Sequence, residues 1–341
     1  MPKKSVEAVG FSQVIASDVS VAMCTFNGER FVGEQLRSIF AQSQVPAEIV
    51  IVDDGSTDDT VAFVRSTVAD LVAETPLTKD VHVRILQNTD SLGVTANFEK
   101  AIAASTKAFI FLCDQDDVWH ADRVAVQREQ LTAGVTLSFG DARLVDAAGT
   151  PLGHSLFEAL AVRPHELAGV LGSSPLHSLI RRNIVTGATV AFRRELFEIA
   201  RPFPSSWVHD EWLVAVAAIR RAGFGVTPQL ADYRQHGSNE IGVRKRTLAI
   251  KLRRLLAPGG VRNARLLARS SELNERAPAL GASGDDATLI AAALRHQQRR
   301  STYPHDRLIR WIFVLPEVFS GRYFLVSNGT QDILRDIVGP L

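Results

Sequence analysis

Apolar residues in the first third of the chain form short continuous runs, and the segments between these runs carry apolar residues at helical spacing. The runs lie at residues 19–25, 48–52, 81–86 and 109–113. Nearly continuous apolar runs of this length are typical of strands that helices cover on both faces. The pattern therefore predicts an α/β fold whose central sheet is Rossmann-like, mostly parallel and flanked by helices.

Polar residues follow each of the four runs. They read Thr25-Phe26-Asn27-Gly28, Asp53-Asp54-Gly55-Ser56, Asn88 with Gly93 and Asn97, and Asp114-Gln115-Asp116-Asp117. Ligands of open α/β sheets bind beyond the carboxyl ends of the strands, so we expect these residues to form a binding site. The last segment places three carboxylates within four residues, and such groups repel one another unless a positive charge lies among them. A divalent cation, Mg²⁺ or Mn²⁺, would supply that charge and would bridge the phosphate oxygens of a ligand.

Two common nucleotide-binding signatures are absent from the sequence. The turn after the first run contains Gly28 and Gly33 but no Gly-x-Gly-x-x-Gly, and no Gly-x-x-x-x-Gly-Lys-Ser/Thr occurs in the chain. Neither a dinucleotide fingerprint nor a P-loop is therefore supported.

The chain has 341 residues and a formal net charge of +1, which conceals two regions of opposite charge. Residues 244–341 contain 17 Lys and Arg against 8 Asp and Glu, whereas residues 1–243 contain 21 against 29. The length and this asymmetry indicate more than one structural unit. We expect an N-terminal extension over residues 1–18, an α/β domain over 19–243 and a basic, mainly helical region over 244–341.

Targeting signals are missing from the sequence. No run reaches the roughly 18 apolar residues that span a bilayer, and the first ten residues lack the apolar block of a secretory signal. Cys24 and Cys113 form neither a disulfide framework nor a Cys-x-x-Cys motif, as is usual in a reducing compartment. We expect a cytoplasmic protein with both cysteines buried.

The four polar segments, in this order and at this spacing, resemble those of family 2 glycosyltransferases of the GT-A fold, over about residues 19–240. The segment Asp114-Gln115-Asp116-Asp117-Val118-Trp119 and the later Tyr233-Arg234-Gln235-His236-Gly237 are most similar to bacterial rhamnosyltransferases that build surface polysaccharides. The resemblance implies a GT-A domain over residues 19–243, followed by a helical appendage.

The resemblance also implies roles for individual residues on the donor side. Thr25 and Asp53 would hold the nucleotide base with help from Glu29, and Asp53 would accept a hydrogen bond from the N3–H of uracil or thymine. Asp116 would bind the metal, supported by Asp117, and His236 would complete the metal shell or donate to phosphate. The remaining donor-side residues would be Asn27, Asp54, Asn88, Asn97, Asp114 (at the ribose or sugar), Gln115 and Arg234.

A second cluster would supply the acceptor chemistry. Residues 186–194 alternate like a strand and resemble the family's acceptor-lining segment, in which Gly187 would allow a sugar to approach closely. Residues 207–212 open a predicted helix that ends near Gly223. Inverting transfer needs a carboxylate that removes the acceptor's proton, and Asp210 matches the family's base. Glu211 is the alternative base, and the acceptor pocket would comprise Gly187, Trp207, Glu211 and Trp212.

These roles imply an inverting, single-displacement transfer of a sugar to a glycan or polyprenyl-diphosphate-linked acceptor. The implied donor is dTDP-β-L-rhamnose, which would give an α linkage. Three alternatives stay open: a UDP-sugar donor, a nucleotidyltransferase that makes a nucleotide sugar, and a non-catalytic scaffold for polysaccharide assembly.

Basic and apolar residues alternate after residue 245. Residues 248–256 have the pattern of an amphipathic helix that Pro258-Gly259-Gly260 would end, and further helices are predicted near residues 285–300, 306–315 and 330–337. This region is either a helical appendage with a solvated basic face or a surface that rests on anionic lipid at the inner face of the cytoplasmic membrane. Nucleic acid is an unlikely partner, because no reading motif accompanies the arginines and the larger part of the chain is acidic.

Overall fold

A computed structural model of the chain describes residues 13–74, 77–236 and 260–339. The strands are β1 (Val14–Thr25), β2 (Gln44–Asp53), β3 (His82–Gln87), β4 (Phe109–Cys113), β5 (Val118–Trp119), β6 (Leu137–Gly140), β7 (Arg143–Val145), β8 (Pro151–Ser155), β9 (Ala191–Arg193), β10 (Phe224–Thr227) and β11 (Ala231–Arg234). The helices up to residue 236 are α1 (Glu29–Phe40), α2 (Thr60–Glu74), α3 (Val94–Ala104), α4 (Arg123–Thr132), α5 (Leu156–Leu160), α6 (Pro164–Leu171), α7 (Pro175–Leu179), α8 (Arg194–Ala200) and α9 (His209–Ile219), with 3-10 turns at Leu77–Asp80 and Gly187–Thr189. Beyond the gap lie α10 (Gly260–Arg276), α11 (Gly284–Ser301), α12 (Arg307–Phe319), α13 (Arg322–Val326) and α14 (Thr330–Val338).

The central sheet has seven strands in the order β10-β6-β9-β4-β1-β2-β3. All neighbouring pairs are parallel except those of β9, which runs antiparallel to both β4 and β6. The four strands predicted from the apolar runs are present, and β1 already begins at Val14, inside the predicted N-terminal extension. The prediction of a mostly parallel sheet flanked by helices is confirmed.

A smaller second sheet, in the order β5-β11-β7-β8, lies beyond the acidic turn that follows β4. Its strands are two to five residues long, and the apolar pattern of the sequence did not reveal them. The sheet matters for the site because β5 directly follows Asp117 and β11 ends at Arg234, just before His236.

The apolar core lies on both faces of the central sheet, as strands with continuous apolar runs require. One cluster packs α3, α7, α8 and α9 against β2, β4, β6 and β9, and the other packs α1, α2 and α4 against β1 and β2. Residues from α10 and α11, such as Leu273 and Ile290, join the first cluster. The helical appendage is thus continuous with the core of the α/β domain.

The segment predicted as one strand over residues 186–194 is only partly a strand. Gly187–Thr189 forms a 3-10 turn, closed by hydrogen bonds from Thr189 N to Thr186 O and from Val190 N to Gly187 O, and the strand β9 starts at Ala191. The prediction was wrong over the first half because the N–H of Gly187 is bound by a carboxylate side chain, described below, instead of a neighbouring strand.

Three predicted C-terminal helices are present as α11, α12 and α14, and α12 continues through Pro316 to Phe319. Gly260, expected to follow the end of a helix, is instead the first residue of α10. The amphipathic helix predicted over residues 248–256 lies outside the described residues. None of the helices that the structure describes is long and apolar enough to cross a bilayer.

Candidate active site

The turn after β2 is organised by the buried carboxylate of Asp53. Its Oδ1 accepts hydrogen bonds from the hydroxyls of Thr25 at 2.8 Å and Ser56 at 2.5 Å, and its Oδ2 accepts from the backbone N–H groups of Gly55 and Ser56. A carboxylate offers about four acceptor positions, so this one is fully used. The N3–H of a base could bind Asp53 only by replacing one of the two hydroxyls.

Asp54 ties the second turn to the third. Its two oxygens accept from Asn88 Nδ2, Ser91 Oγ and the backbone N–H groups of Leu92 and Gly93, at 2.7–2.9 Å. Burial alone would raise the pKa of Asp54, but these hydrogen bonds outweigh it and lower the pKa. Because every described bond of this carboxylate goes to the protein, its role is to order the loop before α3.

Asn88 and Asn97, both predicted to bind the donor, are buried and bonded to each other. Asn88 Nδ2 donates to Asn97 Oδ1 at 2.9 Å, Asn97 Nδ2 donates to Val52 O at 2.9 Å, and Lys100 donates to Asn88 Oδ1. Asn97 is 2% exposed, so the prediction that it contacts the donor is corrected. Its amide instead holds strand β2 against α3.

The first turn is joined to the acidic turn by Gln115. The Oε1 of Gln115 accepts from Phe26 N at 2.8 Å, and its Nε2 donates to Phe26 O at 3.0 Å. A Cβ on Gly28 would lie 2.0 Å from the same Oε1, so a larger residue there would displace this amide. Asn27, with a φ of 47°, and Glu29 are exposed, and Asn27 accepts from the backbone N–H of Thr57 at 2.9 Å.

The acidic turn after β4 brings together the two predicted metal ligands. His236 Nε2 lies 2.7 Å from Asp116 Oδ2, and the imidazole stacks on Phe31 at 4.7 Å between centroids. Asp117 is buried, and its Oδ1 accepts from Arg234 N at 3.0 Å. Burial, followed by repulsion from Asp116 and Asp114, raises the pKa of Asp117 well above its ordinary value.

Arg234 is a structural part of this turn. Its guanidinium donates to Asp116 O at 2.8 Å and pairs with Glu34 at 2.5 Å, and the residue is 2% exposed. The prediction that Arg234 binds the donor is therefore corrected: the side chain is buried beneath the turn and fixes the backbone of Asp116.

The acidic turn fits a divalent cation that shares its coordination with a ligand. Asp116 and His236 are in direct contact, and the carboxylates of Asp116 and Asp114 are close enough to Asp117 to repel its charge. Within the described residues no group of three or more His, Cys, Asp or Glu side chains could hold a metal by itself. Mg²⁺ commonly binds through one or two carboxylates plus substrate phosphates, which matches this arrangement.

The predicted base lies at the start of α9. Asp210 Oδ2 accepts from Gly187 N at 2.7 Å, its Oδ1 accepts from Glu211 N at 2.7 Å, and the residue is 9% exposed. Burial raises the pKa of Asp210, which makes its carboxylate a stronger proton acceptor. A Cβ on Gly187 would lie 3.2 Å from Asp210 Oδ2, so Gly187 serves the approach of this carboxylate.

His209 precedes the base and is buried. Its ring stacks on Phe98 at 3.9 Å, and neither ring nitrogen has a hydrogen-bond partner in the structure. Burial lowers the pKa of His209 to about 3, so the ring is neutral. It packs on Phe98 as an uncharged ring.

The two tryptophans of the segment differ in their surroundings. Trp212 is completely buried and its indole N–H donates to Ala200 O at 2.8 Å, so the prediction that it lines the acceptor pocket was wrong. Trp207 is partly exposed, and the guanidinium of Arg269 from α10 lies over its ring at 4.2 Å. The same guanidinium pairs with Glu211 at 2.7 Å.

The base and the acidic turn act on a common neighbour, the buried ring of Tyr233 in β11. Burial first, and then the negative charges of Asp117, Asp114, Asp116 and Asp210, raise the pKa of Tyr233. The carboxylates of both clusters are therefore close enough to act electrostatically on the same group.

A cavity of about 230 Å³ opens beside Glu211, between α7 and α9 on one side and the C-terminal helices on the other. Its polar lining contains Arg181, Arg182, Arg262, Arg269 and Arg300 against two carboxylates, Glu211 and Asp332. The Nη1 atom of Arg262 and the Nε atom of Arg182 are buried without a hydrogen-bond partner. Four of these arginines already pair with carboxylates, so the cavity offers an anionic group Arg181 and the unbonded nitrogens of Arg182 and Arg262.

Comparison with known families was decisive for the α/β domain. The family model described as glycosyl transferase family 2 matches residues 20–198, which is more than half of the chain. The chain belongs to glycosyl transferase family 2.

Individual relatives of this family 2 chain are distant. It is 28% identical over 232 residues to an uncharacterised glycosyltransferase of Nostoc, covering 65% of this chain and 66% of that protein. It is 33% identical over 106 residues to a dTDP-rhamnosyl transferase of Shigella flexneri, covering 30% and 34%. The matches span less than two thirds of the length of these relatives.

Solved structures support the GT-A fold. The TarS fragment of Staphylococcus aureus, crystallised with UDP-GlcNAc, matches with a TM-score of 0.56 at 17% identity, covering 94% of this chain and 88% of that one. At this identity the likeness shows the fold alone. It extends over the C-terminal helices as well as the family 2 domain.

Sequence reasoning missed two residues of this family 2 site, Glu34 and Arg269. Glu34 lies on α1 and pairs with Arg234, and Arg269 lies on α10 and pairs with Glu211. Both were visible only as ordinary charges on helices, because their partners lie far away in the sequence. The excess of arginine after residue 244 was the one signal that pointed toward Arg269.

Proposed function

We propose that the protein is an inverting, metal-dependent glycosyltransferase of cell-surface polysaccharide synthesis. The observation that carries the proposal is the presence of two prepared groups: the buried carboxylate of Asp210, held by the N–H groups of Gly187 and Glu211, and the contact of Asp116 with His236. Inverting transfer requires one base on the acceptor side and stabilisation of a diphosphate on the donor side. Both requirements have a named candidate here.

In this mechanism Asp210 accepts the proton of the acceptor hydroxyl as that oxygen attacks the anomeric carbon. The bond to the nucleoside diphosphate breaks in the same step, so the configuration inverts. The N–H groups of Gly187 and Glu211 fix the two oxygens of Asp210, which aims the carboxylate before the acceptor arrives. Glu211 is the alternative base, but its carboxylate is engaged by Arg269.

Asp116 and His236 would hold the Mg²⁺ or Mn²⁺ ion, which when bound would neutralise the charge of the leaving diphosphate. The chain's own part is to keep these two side chains together. Arg234 and Phe31 do this, by fixing the Asp116 backbone and by stacking on the imidazole. Asp114, at the start of the same turn, faces the ribose or sugar.

For the donor we propose dTDP-β-L-rhamnose, with a UDP-sugar as the alternative. The proposal is supported by the segment similar to the dTDP-rhamnosyl transferase of Shigella flexneri. The paired Thr25 and Asp53 would recognise the N3 edge of thymine or uracil alike, so the choice between the two nucleotides depends on other contacts.

For the acceptor we propose a polyprenyl-diphosphate-linked glycan at the inner face of the cytoplasmic membrane. The arginine-lined cavity beside Glu211 supports an acceptor that carries phosphate, because guanidinium groups bind phosphate oxygens bidentately. Residues 244–341 carry a surplus of positive charge, 17 basic against 8 acidic side chains, which favours an anionic surface.

A thermal-shift screen tests the donor proposal, since a ligand that binds only the folded state raises the melting temperature. We expect dTDP with Mg²⁺ or Mn²⁺ to raise the melting temperature more than UDP or GDP does. Without metal, each nucleotide should raise it less. Incubation of purified protein with dTDP-β-L-rhamnose and lipid-linked acceptor should release dTDP. Release of pyrophosphate from dTTP and a sugar phosphate would instead identify a nucleotidyltransferase, and no turnover with any donor would favour a scaffold.

A further inference from the structure

Helix α12 is oriented with its apolar side outward. Leu308, Trp311, Ile312, Leu315 and Phe319 recur at spacings of three and four residues and are 82%, 49%, 52%, 38% and 85% exposed. Residues at this spacing share one face of a helix. We call these five residues the α12 apolar face.

The inward side of α12 carries the charges. Arg310 is completely buried and donates to the carbonyl oxygens of Pro304, His305, Asp336 and Gly339. Glu317 is also buried, and it accepts from Arg322 at 2.6 Å and lies 2.7 Å from His296 Nδ1. These bonds fix the rotation of the helix, so the apolar face cannot turn inward without breaking them.

The adjoining helices α13 and α14 also expose apolar side chains. Phe324 and Leu325 on α13, and Leu334 and Val338 on α14, are between 40% and 53% exposed. Among described residues 307–339, the carboxylates of Glu317, Asp332 and Asp336 are all buried, whereas Arg307 is exposed. The outer surface of these three helices is thus largely apolar, and the exposed charges at its edge are Arg307 and the α12 N-cap, Asp306.

We infer that the α12 apolar face rests in the interfacial layer of an anionic lipid bilayer. A helix that lies in this layer buries Leu, Ile, Phe and Trp side chains at the boundary of the acyl chains and places basic residues among the head groups. Trp is favoured at this depth because its ring is amphipathic. The inference rests on the proposed membrane location and assigns the contact to a defined surface. It does not depend on which sugar is transferred.

The charges favour lipid over a second copy of the chain. A twofold dimer would place the same patch of each copy against the other, and the one exposed acid of described residues 306–339 is Asp306, which already caps α12 through Leu308 N at 2.8 Å. Anionic lipid would instead offer many negative head groups to Arg307 and to the basic surplus of residues 244–341. Residues 244–254 of the sequence contain six Lys and Arg and no acid. The described part of the chain resumes at Gly260. Nearby Arg262 pairs with Asp332 of α14.

Vesicle flotation of the full-length protein tests the inference. We expect binding to vesicles of phosphatidylglycerol and phosphatidylethanolamine, with weaker binding to phosphatidylcholine vesicles. The double variant Leu308→Glu/Phe319→Glu should lower the partition coefficient by about tenfold or more, because two apolar side chains no longer leave water. Leu171→Glu, on α6 and 50% exposed in the wild type, is the matched control and should float like the wild type.

A second measurement begins with the wild-type protein and needs only one conservative variant as its control. Trp119 and Trp212 are buried and Trp207 is covered by Arg269, whereas Trp311 is 49% exposed. Brominated lipid should therefore quench the fluorescence of Trp311, and Trp311→Phe should abolish most of the quenching.

Three results would overturn the inference: equal flotation of the double variant, no quenching by brominated lipid, or a wild-type dimer that the double variant converts to monomer without vesicles. Flotation requires neither donor nor turnover. A protein that floats but transfers no sugar would refute the proposed activity and leave this surface in place.

Discussion

The guanidinium of Arg269 pairs with the carboxylate of Glu211 at 2.7 Å, so a helix of the C-terminal region reaches the residue next to the proposed base. The same guanidinium lies over Trp207. Burial raises the pKa of Glu211, and the charge of Arg269 opposes that rise. Helix α10 therefore contributes to the electrostatics of a candidate site whose other side chains all precede residue 237.

Replacing Arg269 with Gln should shift the pH dependence of transfer. Arg269 lowers the pKa of both Asp210 and Glu211, so its removal raises both values. A base acts in its deprotonated form, and the acid limb of the kcat profile should therefore move to higher pH. Arg276→Gln, on the same helix, is the control. If the acid limb did not move, Arg269 of α10 would have no influence on the pKa of the base.

Asp210→Asn should abolish transfer while donor binding persists. The amide has nearly the same shape but cannot accept the proton, and loss of a general base typically costs about 10²- to 10⁴-fold in kcat. Transfer rate and the thermal shift with nucleotide should be measured on the same preparation. Near-normal transfer would assign the base to Glu211, which Glu211→Gln would then confirm.

Gly187→Ala should lower kcat without weakening the binding of the donor. The added methyl group would lie 3.1 Å from His209 Nε2 and 3.2 Å from Asp210 Oδ2, so the carboxylate must move. A small displacement of a catalytic group can cost about 10²-fold. Gly223→Ala, whose Cβ would have no neighbour nearer than 3.6 Å, should keep its activity. Equal kcat in both variants would contradict the positioning role of Gly187.

Asp116→Ala should remove metal-dependent donor turnover, and His236→Gln should weaken the apparent metal affinity. Both side chains meet at 2.7 Å in the acidic turn. Titration of Mn²⁺ against donor hydrolysis measures both effects. Glu34→Gln, which disturbs only the partner of Arg234, should have a smaller effect. Unchanged hydrolysis with Mg²⁺ in Asp116→Ala would show that the metal binds elsewhere or is not used.

The C-terminal helices should lose stability in acid through Glu317. Burial alone would raise its pKa, but hydrogen bonds from Arg322 and His296 outweigh it and hold the pKa at about 2. A carboxyl with a lowered folded-state pKa stabilises above its ordinary pKa, and this contribution is lost as the pH falls toward 2. Glu317→Gln should therefore lower the melting temperature at pH 7 more than at pH 3. Equal losses at both pH values would show that the ionised form contributes nothing.

The sequence predicted four of the seven strands of the central sheet, β1, β2, β3 and β4, from their apolar runs, and did not reveal β6 or β10. It missed β5 and β7, which are two and three residues long and too short to show a period. It also misassigned Trp212, which lies two positions after Asp210 and so on nearly the opposite side of the helix. Burial of that ring depends on tertiary packing.

The acidic turn could be recognised in the sequence as a local cluster of carboxylates. The pairing of Asp116 with His236 was predicted only through the family resemblance, because 120 residues separate the two. The outward apolar face of α12 could not be predicted at all. An apolar stripe normally marks the buried side of a helix, and here hydrogen bonds from Arg310 to distant carbonyl groups fix the opposite orientation.

Both sheets are closed by strands made late in synthesis: β10 pairs with β6, and β11 pairs with β5 and β7. A nascent chain on the ribosome therefore carries the acidic turn long before the strand that brings His236 to it. The central sheet cannot be completed until residue 227 has emerged from the exit tunnel, and the second sheet not until residue 234 has emerged. The domain must then fold largely as one unit, and a chain interrupted before β11 would lack a working donor site.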